Sequence, residues 1–365
     1  MLSSLTLKNF KPFENQSFSL KPLTLLSGLN STGKSSLLQS LLLLRQSSQQ
    51  NLLDNVGLAL NGDLVSIGTA QDALFKRAKE DSMTLEIVMD NTIQGTWVFD
   101  YDRPSDVMQI SSLSNIDEKI YNSSLFTDKF HYLKAERIAP RNYFQMSDFQ
   151  VRQHQQVGSQ GEFTAHFLFI NEGKIIPNSE LSHESIKSHQ LGNQVEAWLG
   201  EISPGTGIDI ELHSAMDVVN LQYYYEDNNS YRSTNVGFGI TYTLPIIVAI
   251  LSATSDTLIL LENPEAHLHP RGQSKMGELI ALAASCGIQI ILETHSDHVL
   301  NGIRKAVKYK KLDAEKVQIN YFERYLQKGQ PITEIITPRI YPDGGIDKWP
   351  DGFFDQAEKD LMELL

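Results

Sequence analysis

Residues 23–46, "LTLLSGLNSTGKSSLLQSLLLLRQ", constrain this chain more than any other stretch. Gly28, four intervening residues and then Gly33-Lys34-Ser35 fit the phosphate-binding loop pattern, set between a strand-like run and an apolar-periodic helix. The glycines let the backbone curl so that successive N–H groups face phosphate oxygens, and the helix N-terminus adds its partial positive charge. In such a loop Lys34 would reach the β and γ phosphates and the Ser35 hydroxyl would ligate Mg²⁺. The bare pattern also arises by chance. The strand before it and the helix after it supply the context that a chance match lacks.

Composition bounds the rest. The 365 residues are 41% hydrophobic and 21% charged, as in a soluble globular protein of two or three domains, or one large α/β domain with insertions. The single cysteine, Cys286, lies in the apolar run "ALAASCGIQIIL" and can form no intrachain disulfide. It reads as a buried thiol in a reducing, cytoplasmic setting. The start "MLSSLTLKNF" lacks the basic-then-apolar order of a signal peptide, and "LPIIVAIL" is far too short to span a bilayer. A net charge of −13 argues against wrapping nucleic acid over a broad surface and leaves room for a local basic patch.

Residues 2–26 read as three short strands that deliver the chain into the loop. Residues 83–114 alternate apolar and polar, as an antiparallel meander does. Residues 145–205 read as helical and polar, ending at Ser203-Pro204-Gly205. Strands return at "GIDIELHS" and "VVNLQYYYED", and the loop "DNNSYRSTN" leads into a helix, "VGFGITYTLPIIVAIL". Thereafter buried strands alternate with helices, which predicts a parallel sheet. No repeat, low-complexity tract or long heptad run is present, so coiled-coil arms are not expected.

Three further motifs follow. "NVGFG", Asn235 to Gly239, opens the predicted helix. Its two glycines would let the backbone approach a ligand, and the helix N-terminus favours an anion. "TLILLENPEAHLHP" is an apolar strand ending in Glu262, the form of a metal-organising carboxylate. "IQIILETHSDH" is another apolar strand, ending beside His295 at an edge that faces the ligand crevice of an open parallel sheet. Taken singly, these are a permissive loop, a buried strand with a solvated acid and a structural histidine. Together with the phosphate loop they form a series.

The four elements, in this order, resemble ABC-type ATPases of the SMC, recombination-repair and OLD (overcoming-lysogenization-defect) kind. "GLNSTGKSS" looks like their Walker A motif, "NVGFG" like a degenerate signature, "LILLENPE" like Walker B and "ETHSD" like the switch-histidine motif. The opening "LTLKNFKPFENQSFSL" is also typical of that group. "ENPEAHLHP", "ETHSDHVLNGIR" and the tail "WPDGFFDQ" resemble a bacterial ATPase family whose relatives often sit in phage-defence operons.

The resemblance covers essentially the whole chain. It implies an α/β fold, an ABC/SMC-like P-loop ATPase head with a mostly parallel core sheet, an antiparallel β lobe and a helical insertion. On that reading residues 1–365 form one bilobed head. Residues 70–140 form the antiparallel lobe and 141–205 the helical insertion. The signature, Walker B and switch elements fall in 206–340, and 341–365 make a C-terminal tail.

ATP and Mg²⁺ are the implied cofactors. Gly28, Asn30, Ser31, Thr32, Gly33, Lys34, Ser35 and Ser36 would bind the nucleotide from one subunit, and Asn235, Gly237 and Gly239 from the other. Ser35 and Glu262 would hold the metal, and Glu262, Glu265 and His295 would be catalytic. The implied assembly is a head-to-tail dimer with ATP sandwiched between subunits, ATP acting as glue that hydrolysis releases.

Departures from the pattern matter. Where ABC ATPases place a catalytic Glu directly after the Walker B acid, this chain has Asn263, which cannot take a proton. Glu265 is the candidate replacement and Glu293 the second. Asn235 stands where the signature Ser is usual, so slow turnover or a switch role is expected. No Q-loop is located, Gln71 being the one candidate.

Rival readings are fewer. His267, His269, His295, Asp297 and His298 resemble a metal-ligand set, but Pro264 and Pro270 make the first segment a loop. Arg304, Lys305, Lys308, Lys310 and Lys311 form a basic stretch, read as a solvated helix face whose C-terminal charge the macrodipole favours. Arg137 and Arg141 read as phosphate-binding, interfacial or salt-bridged. About a hundred residues follow Glu262, too few for the TOPRIM nuclease domain of OLD proteins. A separately encoded effector, such as a nuclease, is therefore the expected partner. The function expected is that of an ATPase gating this effector, in anti-phage defence. A DNA-binding repair or DNA-tethering ATPase is the alternative.

Overall fold

Alternating burial along the first nine residues makes them a strand. In the computed structural model, which describes residues 1–225, 229–327 and 330–365, β1 (Leu2–Phe10) buries Leu5 and Leu7 and leaves Thr6 and Lys8 partly exposed. It pairs antiparallel with β2 (Phe13–Ser19). β3 (Leu23–Gly28) buries Leu23, Leu25 and Leu26 completely, as a strand covered on both faces does. α1 (Lys34–Gln49) follows, with Leu37, Leu38 and Leu41 through Leu44 at most 1% exposed, so it is a helix buried nearly all round.

β4 (Gly57–Ala59), the single turn α2 (Ala70–Ala73), β5 (Ser82–Met89), β6 (Ile93–Asp100), β7 (Val107–Gln109) and β8 (Asn115–Ile116) complete this segment. The five-stranded sheet β2-β1-β5-β6-β8 is antiparallel, with Met83, Leu85, Ile87, Trp97 and Phe99 on its buried face. The meander predicted over 83–114 differs in one strand. β7 leaves β6 and pairs with β4 instead. Just beyond β7, Ile110 keeps a single antiparallel bridge to Phe99 of β6.

Internal packing divides the chain into two units. One comprises Met1–Thr127, Val317–Arg339 and Asp347–Leu365; the other comprises Asp128–Lys316 and Ile340–Ile346.

The second unit holds β9 (Phe130–Leu133), β10 (Phe144–Gln145), α3 (Thr164–Asn171), α4 (Leu191–Ile202), β11 (Gly207–His213), β12 (Val218–Tyr224), β13 (Ser230–Arg232), α5 (Phe238–Ser252), β14 (Leu258–Glu262), α6 (Pro270–Ser285), β15 (Gln289–Glu293) and α7 (Asp297–Lys308). β14 runs parallel to both β9 and β15, and its Leu258 to Leu261 are fully buried. β12 runs antiparallel to β10, β11 and β13 in a separate small sheet. The strand expected over 218–227 ends at Tyr224, and residues 226–228 of it and of the following loop lie outside the described residues. Cys286 is half-exposed rather than buried, because it caps the end of α6, where its thiol donates to the exposed Glu180 carboxylate at 3.7 Å.

α6 and α7 meet backbone to backbone. A Cβ on Gly277 would lie 2.2 Å from the Val299 carbonyl oxygen, and one on Gly302 would lie 2.1 Å from that of Ser274. Only glycine lets two helices approach this closely.

The chain then returns to the first unit with β16 (Val317–Gln327), β17 (Gln330–Ile336) and α8 (Gln356–Leu364). β16 is parallel to β3, in register from Val317↔Leu23 to Phe322↔Gly28, and antiparallel to β17. Phe353 anchors the tail, fully buried with its ring 5.4 Å from that of Tyr321, whose hydroxyl donates to the Asp351 carbonyl at 2.8 Å. No helix among the described residues is long and apolar enough to cross a membrane.

The helix contact yields a paired test. Gly302→Val should lower stability by about 1–3 kcal/mol through overpacking. Gly200→Ala, where an added Cβ meets nothing within 4 Å, should leave stability unchanged or raise it. Thermal denaturation of both variants checks the pair. Equal midpoints would contradict the close α6–α7 contact.

Candidate functional site

In the first unit, β3 ends at Gly28 and α1 begins at Lys34, leaving Leu29 to Gly33 as the loop. Gly28 (φ 135°) and Gly33 (φ 110°) adopt left-handed backbone, as does Ser31 (φ 64°). A Cβ on Gly28 would fall 2.3 Å from the Phe322 carbonyl oxygen of β16; one on Gly33 would fall 2.8 Å from Pro12 and Phe13. Phe13 belongs to an aromatic cluster with Phe18 (5.4 Å, edge-on), and Phe18 stacks on Phe322 (5.9 Å). The two glycines therefore seat the loop directly on β16 and on the β1–β2 turn.

Lys34 is only 3% exposed, and its ammonium donates to the carbonyls of Gly28 at 2.9 Å and Leu29 at 2.8 Å. Thr32 Oγ1 donates to the Leu29 carbonyl at 2.8 Å, and the Thr32 carbonyl accepts from Thr333 Oγ1 at 3.1 Å. Thr32 thus braces the loop from within. Asn30, Ser31 and Ser35 are exposed, and Ser36 is buried in the first turn of α1, where its N–H donates to the Gly33 carbonyl. The α1 N-terminus opens onto this loop, the arrangement that suits an anion. Gln71, the Q-loop candidate, is exposed and accepts from Arg103 Nε at 2.9 Å.

In the second unit, Glu262 ends β14. Its carboxylate accepts from the Tyr132 hydroxyl at 2.9 Å and from the Ala135 N–H at 3.1 Å. Burial, reinforced by the negative charge of Glu262, pushes the Tyr132 hydroxyl far above its ordinary pKa, so it stays a donor. Asn263 follows with φ 43°, a left-handed turn that asparagine tolerates.

Arg137 secures this turn. It is 2% exposed, and it donates to the carbonyls of Glu262 (2.7 Å), Asn263 (2.6 Å) and Lys134 (3.2 Å) while lying over the Tyr242 ring. Burial lowers its pKa to about 10, with Glu265, Tyr242 and Glu262 opposing, so it is charged at neutral pH. The sequence suggested phosphate, interface or salt-bridge roles for Arg137. Among the described residues its hydrogen bonds go to backbone carbonyls instead, because the strand end after β14 leaves carbonyls that need a donor. Arg141 is exposed, and its carbonyl accepts from Ser233 Oγ at 2.8 Å.

Glu265 spans two segments. Its carboxylate accepts from Thr294 Oγ1 at 2.7 Å and from the His295 N–H at 2.8 Å, which joins the turn after β14 to the loop after β15. His295 itself is exposed, and Glu293 is buried in register with Glu262.

The two glycines before α5 differ. A Cβ on Gly239 would lie 2.6 Å from the His267 carbonyl oxygen, so packing requires glycine there. At Gly237, exposed beside exposed Asn235 and with φ −62°, an added Cβ would meet nothing within 4 Å. His267 packs on Tyr242 and Phe238, and His269 caps α6. No group of three His, Cys, Asp or Glu side chains able to hold a metal occurs among the described residues. The basic stretch is partly spent within the chain: Arg304 donates to Asn301 and Gly344, and Lys305 and Lys311 pair with Glu278 and Glu184.

Tyr132 and Thr294 were not singled out from sequence. Tyr132 stands in no motif, Thr294 sits inside "ETHSD" where His295 drew the reading, and each acts through a partner distant in sequence.

Three family models match the chain. "AAA ATPase domain" matches residues 1–190; "AAA domain, putative AbiEii toxin, Type IV TA system" matches 97–301; "Protein of unknown function (DUF3696)" matches 312–364. Among solved structures, the SmcHead bound to the C-winged helix domain of ScpA is similar with TM-score 0.56 at 13% identity, over 93% of this chain and 98% of that one. The Smc head domain with an extended coiled coil, bound to the C-terminal domain of ScpA derived from Pyrococcus furiosus, gives 0.51 at 12% identity, over 100% and 99%. This likeness shows an α/β fold of the SMC-head kind. None of the curated proteins compared with the chain matches it.

Arg137 offers the sharpest test of the second unit's geometry. Arg137→Met would leave three carbonyls without this donor and should cost about 2–4 kcal/mol. Arg141→Met, at an exposed position, should stay within about 0.5 kcal/mol. Chemical denaturation measures both. An Arg137→Met chain as stable as the parent would show that the guanidinium supports nothing.

Proposed function

Because the chain belongs to the AAA ATPase domain family, we propose that it binds Mg·ATP at the Gly28–Ser36 loop, dimerises around the nucleotide and hydrolyses it. One observation carries the reading: an ammonium, Lys34 Nζ, is fixed at the mouth of a glycine-turned loop at a helix N-terminus. Such a group serves phosphate oxygens by charge and direction together. Ser35 and Glu262 are oxygen donors of the kind Mg²⁺ takes, and the ion, when bound, would neutralise charge between the β and γ phosphates.

In this reading Glu265 and His295 orient the attacking water. The two donors on Glu265 fix its carboxylate while its further lone pairs remain able to accept a proton. Gly237 supports the dimer, since its own chain makes no demand for glycine there. A partner's phosphate approaching that backbone would. The dimer then gates a separately encoded effector, in anti-phage defence. The toxin–antitoxin wording of one family description supports that setting, as does the separate polypeptide bound by the solved Smc heads.

Lys34→Ala should abolish productive ATP binding in isothermal titration, whereas unchanged affinity would remove the phosphate loop from the account. Gly237→Arg should keep nucleotide binding and lose at least about tenfold in turnover. Hydrolysis at the parent rate in that variant would sink the composite site.

A further inference from the structure

β17 carries none of the sequence motifs, yet within the first unit it touches the phosphate loop. β16 lies between β3 and β17, with Phe322 opposite Gly28 on one side and Ile335 on the other. The loop that leaves β3 at Gly28 reaches past β16, and Thr333 Oγ1 of β17 donates to the Thr32 carbonyl at 3.1 Å. Two further hydrogen bonds carry this contact to the ammonium. Thr32 Oγ1 donates to the Leu29 carbonyl at 2.8 Å, and Lys34 Nζ donates to the same carbonyl at 2.8 Å. Thr32 is 1% exposed, so water is poorly placed to replace the Thr333 hydroxyl on its carbonyl. The strand itself asks for no hydroxyl at this half-buried position, since valine has a similar branched shape and suits a strand as well. What the threonine adds is its bond to the loop.

We propose that Thr333 is a positioning residue of the nucleotide site, holding the phosphate loop ready for its ligand through the Thr32 carbonyl; this rests on the Mg·ATP reading of the Gly28–Ser36 loop. The Thr32–Gly33 peptide is trans, so a carbonyl drawn toward β17 turns the Gly33 N–H the opposite way. That N–H and those of the first turn of α1 are the donors an anion at this helix N-terminus meets. When Lys34 turns to phosphate, the Leu29 carbonyl keeps Thr32 Oγ1 as its donor, and the loop holds its shape through the exchange. A loop without the tether has to be ordered at the moment of binding, and that cost appears as weaker affinity. Thr333 touches no reacting atom in this scheme, so its effect falls on binding and not on the chemical step.

Calorimetric titration of Mg·ATP into the full chain, with steady-state hydrolysis alongside, tests the assignment. Thr333→Val should weaken Mg·ATP about fivefold, the worth of one net hydrogen bond, and raise KM by a similar factor. Its kcat should stay within about twofold of the parent value. Thr333→Ser restores the hydroxyl and should bind as the parent does. Thr333→Ala, which removes the hydroxyl without adding bulk, should follow the valine variant and covers the case in which valine disturbs the strand. A valine variant that melts lower yet binds Mg·ATP as tightly as the parent would make Thr333 structural only and overturn the inference. A serine variant as weak as the valine one would overturn it too. The two readings fail differently: a parent chain that binds no Mg·ATP removes the nucleotide site itself, whereas parent binding with unchanged Thr333→Val affinity removes this inference alone.

Discussion

Lys34 places a full positive charge where almost no solvent reaches, and the Gly28 and Leu29 carbonyls make that tenable. A buried ammonium without such partners would lose several kcal/mol of solvation. The surrounding fold follows from keeping those carbonyls in place. β3 has to end at Gly28, where only a hydrogen side chain clears Phe322, and α1 has to start immediately after Gly33, which rests on Pro12 and Phe13. The β1–β2 turn, β16 and the loop are thereby one packed unit. The anion-binding geometry is a property of that packing rather than of the loop sequence alone.

The second unit solves a related problem at the end of β14. A parallel strand that stops in a buried layer leaves carbonyls unpaired, and a carboxylate there needs donors. Arg137 supplies the first need and Tyr132 with the Ala135 N–H the second. Glu265 then ties the turn to Thr294 and His295, so that the segments after β14 and β15 are positioned together. Acidic and basic groups are held here chiefly by backbone, which leaves little freedom for either segment to move alone.

Much of this was legible in the sequence because the signals were local. "LTLLSGLNSTGKSS" carries strand, turn and helix start within fourteen residues, and "LILLE" and "QIILE" read as covered parallel strands from apolar run length alone. The two carboxylates and His295 were visible as strand-end residues. Arg137 was visible but its role was not, since two of the three carbonyls it binds, those of Glu262 and Asn263, lie 125 and 126 residues later in the chain. The departure of β7 to β4 was hidden for the same reason: alternation specifies a strand, not its neighbour. The glycines of "NVGFG" looked equivalent, and only tertiary packing separates Gly239, pressed against His267, from Gly237, which its own chain leaves open.

The central claim is that ATP binding drives self-association. Sedimentation-equilibrium mass of the full chain, measured without nucleotide and with Mg·ATP in excess, tests it most directly. The account predicts the 41.1 kDa chain mass without nucleotide and a doubling with Mg·ATP. An identical mass in both conditions would contradict it.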